Sequence, residues 1–283
     1  MMRSPRLSAS LLIAVISFSA ILASASSQQG PIPIRTILQH PADDPILILH
    51  RGGVITPEAP ECSLAAAVLA GQQGYEMLEI DIRESKDHIP VSFHDDTMEE
   101  DTDETGRAED YTAAALAQIK FSGSDETIPT IAQLAEVCRE YGMGVMLNIK
   151  TDGSDAYYQR LRQLILDNGL ENATVCIDPY ENAVKHLGDV SLFPLSQEEI
   201  QTLLDGGEVE TEGKFWFGWP RHIENRDVEA LQKKGIVVIP SINIFHYPKA
   251  EHMQRAQEDI ERMKAAGVKV FQIDSVYAPY FGR

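Results

Sequence analysis

Cations are scarce in this chain. Its 283 residues carry 24 Lys and Arg against 43 Asp and Glu, a formal net charge of −19. A surface so charged repels phosphate backbones and anionic headgroups, which excludes nucleic acid and anionic membranes as default partners. A phosphate-bearing ligand would have to be met by a local cluster of cations working against that background. Cysteine is scarcer still: Cys62, Cys138 and Cys176 are an odd, widely spaced set without a C-x-x-C pair or the spacing of a zinc site. They read as three buried thiols, although an exported protein could join two of them and the spacing does not choose which. No glycine-rich phosphate loop follows an apolar run, which counts against a nucleotide-binding open sheet. Nor does any apolar stretch reach the roughly 20 residues that a membrane-spanning helix needs.

The apolar run from Leu11 to Leu22 stands behind Arg3 and Arg6 and ahead of the small residues Ala23, Ser24 and Ala25. Basic, apolar and small-residue parts in that order make a secretory signal peptide, with cleavage expected after Ala25. An uncleaved anchor is the competing reading. Cleavage would leave 258 residues and, with two arginines gone, a formal charge of −21. The expected product is one soluble, exported domain, secreted or periplasmic, without stable membrane insertion. Its length is close to the roughly 250 residues of one eight-stranded α/β barrel.

Short β-rich runs alternate with amphipathic stretches along the rest of the chain. The spacing predicts strands at Ile46–Leu49, Met77–Ile82, Gly144–Ile149, Ala173–Ile177, Val190–Phe193, Lys214–Gly218, Gly235–Ile242 and Val268–Ile273. Helical patterns fall at Ser63–Gln73, Thr130–Tyr141, Asp155–Asn168, Ser196–Leu204, Asn225–Lys234 and Lys249–Ala266. Strands separated by helices pair in parallel, and closing such a sheet removes its edges. The expected fold is a single (β/α)8 TIM barrel over residues 46–283, with residues 26–45 as an N-terminal arm; a doubly wound open sheet is the alternative. The acidic stretch Asp95 to Asp110 interrupts the rhythm and reads as a solvated loop.

Barrel enzymes carry their reactive groups at the C-terminal ends of strands. The first strand here ends in His50-Arg51-Gly52-Gly53. The second holds Glu79 and Asp81, whose two-residue spacing puts both carboxylates on one face, and the chain then returns through Val91 to His94. The third ends in Asn148-Ile149-Lys150. Each of these residues alone reads more readily as structural. Together, two imidazoles can act as acid and base, two carboxylates can hold a hard cation, and Arg with Lys can grip a phosphoryl oxygen. That set suits cleavage of a phosphodiester.

The motifs His50-Arg51-Gly52, Pro60-Glu61-Cys62-Ser63, Glu79-Ile80-Asp81-Ile82, Lys86-Asp87 and His94-Asp95 occur in an order and spacing that resembles the glycerophosphodiester phosphodiesterase signature. The likeness continues through Thr102, Gly106, Ile128-Pro129-Thr130 and Lys150 to Asp274. It implies a barrel related to the phosphatidylinositol phospholipases C, one divalent cation, Mg²⁺ or Ca²⁺, and release of an alcohol from a small phosphodiester or a phospholipid headgroup. Carried over by position, His50 and His94 would be the acid/base pair, and Glu79, Asp81 and Asn148 would face the metal. Arg51 and Lys150 would neutralise the phosphate, and Glu61 would brace Arg51.

Departures from the signature are equally specific. Asn148 stands where the family has a glutamate, which implies weaker metal binding or a different ion. Pro240 replaces a tryptophan that packs on substrate, ahead of Ser241-Ile242-Asn243. Glu100 replaces an arginine, and Cys62-Ser63 replaces Asn-Thr. The missing wall could be rebuilt from Trp216, Trp219, Arg221, His222, Phe245, His246, Tyr247 and Tyr277, with Trp219 and Asn243 as expected substrate contacts. Any one of these aromatics could equally be barrel packing. Two competing functions remain open: a lyase that forms a cyclic phosphate, and a barrel-shaped binding protein without turnover.

Overall fold

A computed structural model describes residues 30, 31, 33, 34 and 45–283. The expected signal peptide, and all of the arm apart from residues 30, 31, 33, 34 and 45, lie outside the described residues. In chain order the elements are β1 (Ile46–Leu49), α1 (Leu64–Gln72), β2 (Met77–Glu84), β3 (Pro90–Ser92), α2 (Ala113–Leu116), α3 (Ile131–Tyr141) and β4 (Gly144–Ile149). They continue as α4 (Asp155–Asp167), β5 (Thr174–Cys176), α5 (Glu181–Leu187), β6 (Phe193–Pro194), α6 (Gln197–Leu204), β7 (Lys214–Gly218), α7 (Asn225–Lys233), β8 (Val237–Ile242), α8 (His252–Ala265) and β9 (Val270–Ile273).

Eight strands run in parallel in the order β5-β4-β2-β1-β9-β8-β7-β6, with β3 attached antiparallel to β2. The ring closes between its first and last members: Val175 bridges Leu192, and the Cys176 amide donates to the Leu192 carbonyl at 2.8 Å. The fold is a (β/α)8 TIM barrel. Helix starts follow local chemistry, since Ser63, Thr130, Ser154 and Ser196 each accept a hydrogen bond from an amide of the first helical turn.

Side-chain alternation sorts the interior. On β1, β2, β4 and β9, Leu47, Leu49, Leu78, Ile80, Val145, Leu147, Phe271 and Ile273 face the helices. Ile46, Ile48, Met77, Met146 and Val270 face the barrel axis near its N-terminal end, where Ile34 of the arm plugs the floor. Following the same parity upward, the axis-facing positions become His50, Glu79, Asp81, Asn148 and Gln272. The barrel is therefore apolar below and polar above, and the polar layer is the one that βα loops surround.

Several boundaries differ from the sequence reading. The fifth barrel strand is not Val190–Phe193, because Val190 and Ser191 amides still bond the Leu187 carbonyl at the end of α5, and pairing begins at Leu192. Gly235, φ 78°, turns the chain out of α7, so β8 starts two residues later than expected. The acidic stretch is not merely a solvated loop: Met98 and Ala108 are buried with Val91, Phe93, Leu116 and Phe121 in a satellite core beside β2 and β3. All three cysteines are buried free thiols.

Candidate active site

Three consecutive residues with positive φ, Arg51 (54°), Gly52 (85°) and Gly53 (141°), fold the end of β1 tightly over the barrel mouth. Gly53 admits no side chain, since a Cβ there would lie 2.3 Å from the Ala66 carbonyl oxygen of α1. The turn brings both His50 and Arg51 beside Glu79. The Arg51 amide donates to Glu79 Oε2 at 2.7 Å. Its guanidinium reaches the other way: Nη1 donates to both Glu61 oxygens, at 2.7 and 2.6 Å, and Nη2 to His94 Nε2 at 3.2 Å.

The two histidines are held by different hydrogen-bond partners. Guanidinium can only donate, so the His94 Nε2 it contacts carries no proton, and Nδ1–H donates to Asp95 Oδ1 at 2.6 Å. His50 Nδ1 donates to Asp274 Oδ1 at 2.7 Å. Burial alone would lower the His50 pKa, but the Asp274 hydrogen bond and the charges of Glu79, Asp274 and Asp81 outweigh it and raise it above the ordinary imidazole value. One imidazole thus presents a lone pair and the other is biased toward imidazolium.

Between them lie Glu79 and Asp81, both fully buried. Burial, and then the neighbouring Asp81 charge, push Glu79 up to about 7. Glu79 Oε1 has no hydrogen-bond partner. Lys150 Nζ stands 2.7 Å from Asp81 Oδ1 as an ion pair without hydrogen-bond alignment, and Cys62 Sγ donates to Oδ2 at 3.5 Å. Asn148 is the register partner of Asp81 across β2 and β4. Among the described residues no three His, Cys, Asp or Glu side chains form a metal cluster, so a third protein donor beside the two carboxylates would be the Asn148 amide oxygen.

Two residues that sequence reasoning did not place in the site belong to it. Asp274, the partner of His50, stands two positions past the inward-facing Gln272, and strand parity could have found it. Arg83, the next inward position after Asp81, is 1% exposed and holds the His94 segment: Nη2 donates to the His94 carbonyl at 3.0 Å and to Asp96 Oδ1 at 2.8 Å. Beyond Asp95 lies Asp101, which burial and the hydrogen bond with Asp95 push up to about 7, while Asp95 is held below the usual carboxylate range.

The mouth opens as a cavity of about 290 Å³ lined by His50, Asn148, Trp219, Asn243, Phe245 and Gln272 among others. A larger groove of about 620 Å³ between α1 and α3 lies on the outside of the barrel, away from all of these groups, and carries none of this chemistry. Of the aromatic set, Trp219, His222, Phe245 and His246 do line the cavity. Trp216 and Tyr277 instead lie in the core outside the barrel, because on β7 it is Phe215 and Phe217 that face inward. Tyr247 is tied to Asp259 of α8 at 3.1 Å. His222 stacks at 5.2 Å and His246 lies at 4.2 Å from the Trp219 ring, with the Arg221 guanidinium 3.8 Å over it. Burial, with the His50 and Arg221 charges, lowers His246 to about 4, so it is neutral at pH 7.

Residues 50–272 match the profile of the glycerophosphoryl diester phosphodiesterase family. The chain is 32% identical to the human protein named glycerophosphodiester phosphodiesterase 1 over 162 residues, which are 52% of this chain and 47% of that one. It is 29% identical to a glycerophosphodiester phosphodiesterase of Caldanaerobacter subterraneus over 114 residues, 38% of this chain and 45% of the other. The match therefore spans less than half of each relative. Among solved structures, a glycerophosphoryl diester phosphodiesterase of Parabacteroides distasonis superposes with a TM-score of 0.67 at 21% identity, covering 88% of this chain and 90% of that one. An Oleispira antarctica phosphodiesterase in complex with the product sn-glycerol-3-phosphate gives 0.65 at 22% identity, covering 84% and 97%. At these identities the two structures speak for the fold.

Proposed function

Because the chain belongs to the glycerophosphoryl diester phosphodiesterase family across residues 50–272, we propose that it hydrolyses a glycerophosphodiester, with His50 as general acid and His94 as general base. The observation that carries this assignment is the contrast between the two rings, one paired with Asp274 and biased toward its cation, the other presenting an unprotonated Nε2 beside Arg51. When Arg51 transfers its Nη2 from His94 to a phosphoryl oxygen, the freed Nε2 can take a proton from the attacking water. The water oxygen joins phosphorus, the bond to the alcohol oxygen breaks, and His50 protonates that oxygen. Glu61 keeps the guanidinium oriented in both positions.

A divalent cation, Mg²⁺ or Ca²⁺, fits the donor set. Glu79 Oε1 is a buried acceptor without a partner, Asp81 Oδ1 meets only an unaligned lysine, and both are oxygen ligands of the kind a hard cation takes. With Asn148 as the third oxygen, the ion would be held by less negative charge than two carboxylates and a glutamate provide. Bound there, it would supply charge stabilisation to the phosphoryl oxygens. Lys150 would then be released from Asp81 to the phosphate. The acidic surface favours a small diester over nucleic acid, and no helix among the described residues is long and apolar enough to cross a membrane. Export after cleavage at Ala25 remains part of the proposal.

The test is turnover of glycerophosphodiesters with choline, ethanolamine, glycerol and inositol headgroups, each with chelator, Mg²⁺ or Ca²⁺. Hydrolysis gives a linear phosphate monoester and free alcohol. A cyclic phosphate would replace the hydrolase with a lyase, and binding without turnover would replace both with a binding protein.

A further inference from the structure

The acidic stretch between β3 and α2 does not treat its carboxylates alike. Asp96, Glu99, Glu100, Asp103 and Glu104 face solvent, whereas Asp95 and Asp101 are half-buried. Residue 101 is pinned from both sides. Met98 is buried in the satellite core, and the Thr102 amide and hydroxyl both donate to the Met98 carbonyl, at 2.9 and 2.7 Å. From the other side the Ser122 amide donates to the Asp101 carbonyl at 2.7 Å. This turn lays the Asp101 carboxyl against that of Asp95, and the two are hydrogen-bonded. Asp95 in turn accepts the His94 Nδ1 proton at 2.6 Å. His94, Asp95 and Asp101 are therefore one chain of hydrogen bonds, which starts at the barrel mouth and ends at the half-exposed Asp101.

Two carboxylates cannot bond each other without a proton, because each can only accept. The charged groups that face Asp101 show where that proton stays. Asp95 after β3 and Glu61 in the loop after β1 strengthen its hold on Asp101; Arg51 opposes them, but its Nη1 is given to both Glu61 oxygens. Burial and the bond to Asp95 put Asp101 at about 7. Asp95, although burial opposes it, is held low by its bonds to His94 and Asp101. Resting on the reading of His94 as general base, we infer that Asp101 is a positioning residue for that base: as a carboxylic acid it donates to Asp95, aligns that carboxylate with the His94 Nδ1–H and draws off part of its charge. A full carboxylate would stabilise the imidazolium strongly; one already bonded to a carboxylic acid stabilises it less. The His94 Nε2 thereby keeps its lone pair for the attacking water. Asp101 acts through Asp95.

The experiment compares wild type with Asp101→Ala and Asp101→Asn. Asn keeps a donor toward Asp95 at every pH, and Ala keeps none. On the choline, ethanolamine, glycerol and inositol glycerophosphodiesters, kcat is measured at saturating Mg²⁺ or Ca²⁺ from about pH 4.5 to about pH 8, where the acid limb reports protonation of the base. In Asp101→Ala that limb should move to higher pH by about half a unit or more, since loss of one charge-assisted hydrogen bond leaves Asp95 its full charge. Asp101→Asn should restore the wild-type limb. Melting temperature over the same range is a second readout that needs no substrate. A carboxyl whose pKa is raised in the folded state costs stability as pH rises from its unfolded value through its folded one. Asp101→Asn does not titrate there, so its melting temperature should gain on that of wild type between about pH 4.5 and about pH 8. An Asp101→Ala limb that coincides with wild type, an equal shift in both variants, or a loss of kcat equal at every pH overturns the inference and leaves the phosphodiesterase reading intact. So does a melting difference between Asp101→Asn and wild type that stays constant with pH. Absence of wild-type turnover on all four diesters removes the phosphodiesterase reading, and the role toward His94 with it, whatever the melting curves show.

Discussion

Asp274→Asn separates a protonated acid from a merely buried histidine. His50 Nδ1 and Asp274 Oδ1 are 2.7 Å apart, and the two side chains are 9% and 13% exposed. Opposite unit charges centred about 4 Å apart in an effective dielectric of about 20 attract by about 4 kcal/mol. Water at the cavity mouth and the Asn amide recover part of that, leaving a net loss of about 1–2 kcal/mol, which is roughly 5- to 30-fold in the protonation equilibrium of His50. Because Asp274 favours the charged ring, its removal lowers the His50 pKa, and the alkaline limb of kcat should move toward lower pH. Below that limb the variant should turn over near the wild-type rate, and above it the loss should approach the full factor. The fold provides a second readout with the same sign. A pKa raised in the folded state stabilises the protein fully below the unfolded value and no longer does so once pH has risen through the folded one. The wild type should therefore exceed Asp274→Asn in melting temperature at about pH 5.5 and much less at about pH 9. An unmoved alkaline limb, or a loss of kcat equal at every pH, would refute the acid role of His50 and reduce Asp274 to a positioning group.

The other expectations are equally direct. His94→Ala should cost about 10² to 10⁴ in kcat with little change in melting temperature, and His50→Ala/His94→Ala should lose much less than the product of the single losses; full activity in His94→Ala would end the proposed mechanism. Since Glu79 titrates near 7 without a cation, Mg²⁺ or Ca²⁺ binding should release a proton and be tighter at about pH 8 than at pH 6, and Asn148→Glu should tighten it further; calorimetry in buffers of different ionisation heat would reveal a pH-independent affinity if the carboxylates are not the ligands. Gly53→Ala, which brings a Cβ to 2.3 Å from the Ala66 carbonyl at φ 141°, should destabilise the fold by roughly 2 kcal/mol or more, and an unchanged melting temperature would contradict the packing of the β1 turn on α1. Mass spectrometry of natively expressed protein should find a terminus at or near Ser26; an intact Met1 would count against export by signal-peptide cleavage.

How much of this was legible depended on whether one strand's periodicity could decide a placement. Glu79 and Asp81 share a face because they are two apart on β2, and the same count puts Met77 below them and Arg83 above. His50, Asn148, Gln272 and Asp274 follow from the same rule on β1, β4 and β9. Applied to β7, parity would also have sent Trp216 outward with the helices, where it lies, and left Trp219 past the strand end to reach the cavity. Elements too short to show a period were the ones lost or displaced. β3 has three residues and β6 two, and the closing contact of the barrel is a single bridge between Val175 and Leu192.

Partners across the barrel are a different matter, because no local pattern encodes them. Lys150 could be assigned to a phosphate from its position at a strand end, yet in the structure it stands on Asp81, the nearest buried negative charge. The arrangement is the one electrostatics favours for the protein alone: two carboxylates buried together repel, one of them is pushed toward protonation, and a lysine neutralises the other. A divalent cation would replace both remedies at once, ionising Glu79 and releasing Lys150. The residue that the sequence assigned to substrate and the residues it assigned to metal are thus one coupled set. Whichever occupant arrives, a cation between the carboxylates or a phosphate beside Arg51, changes the charge that the other meets, so binding of the two should be mutually favourable.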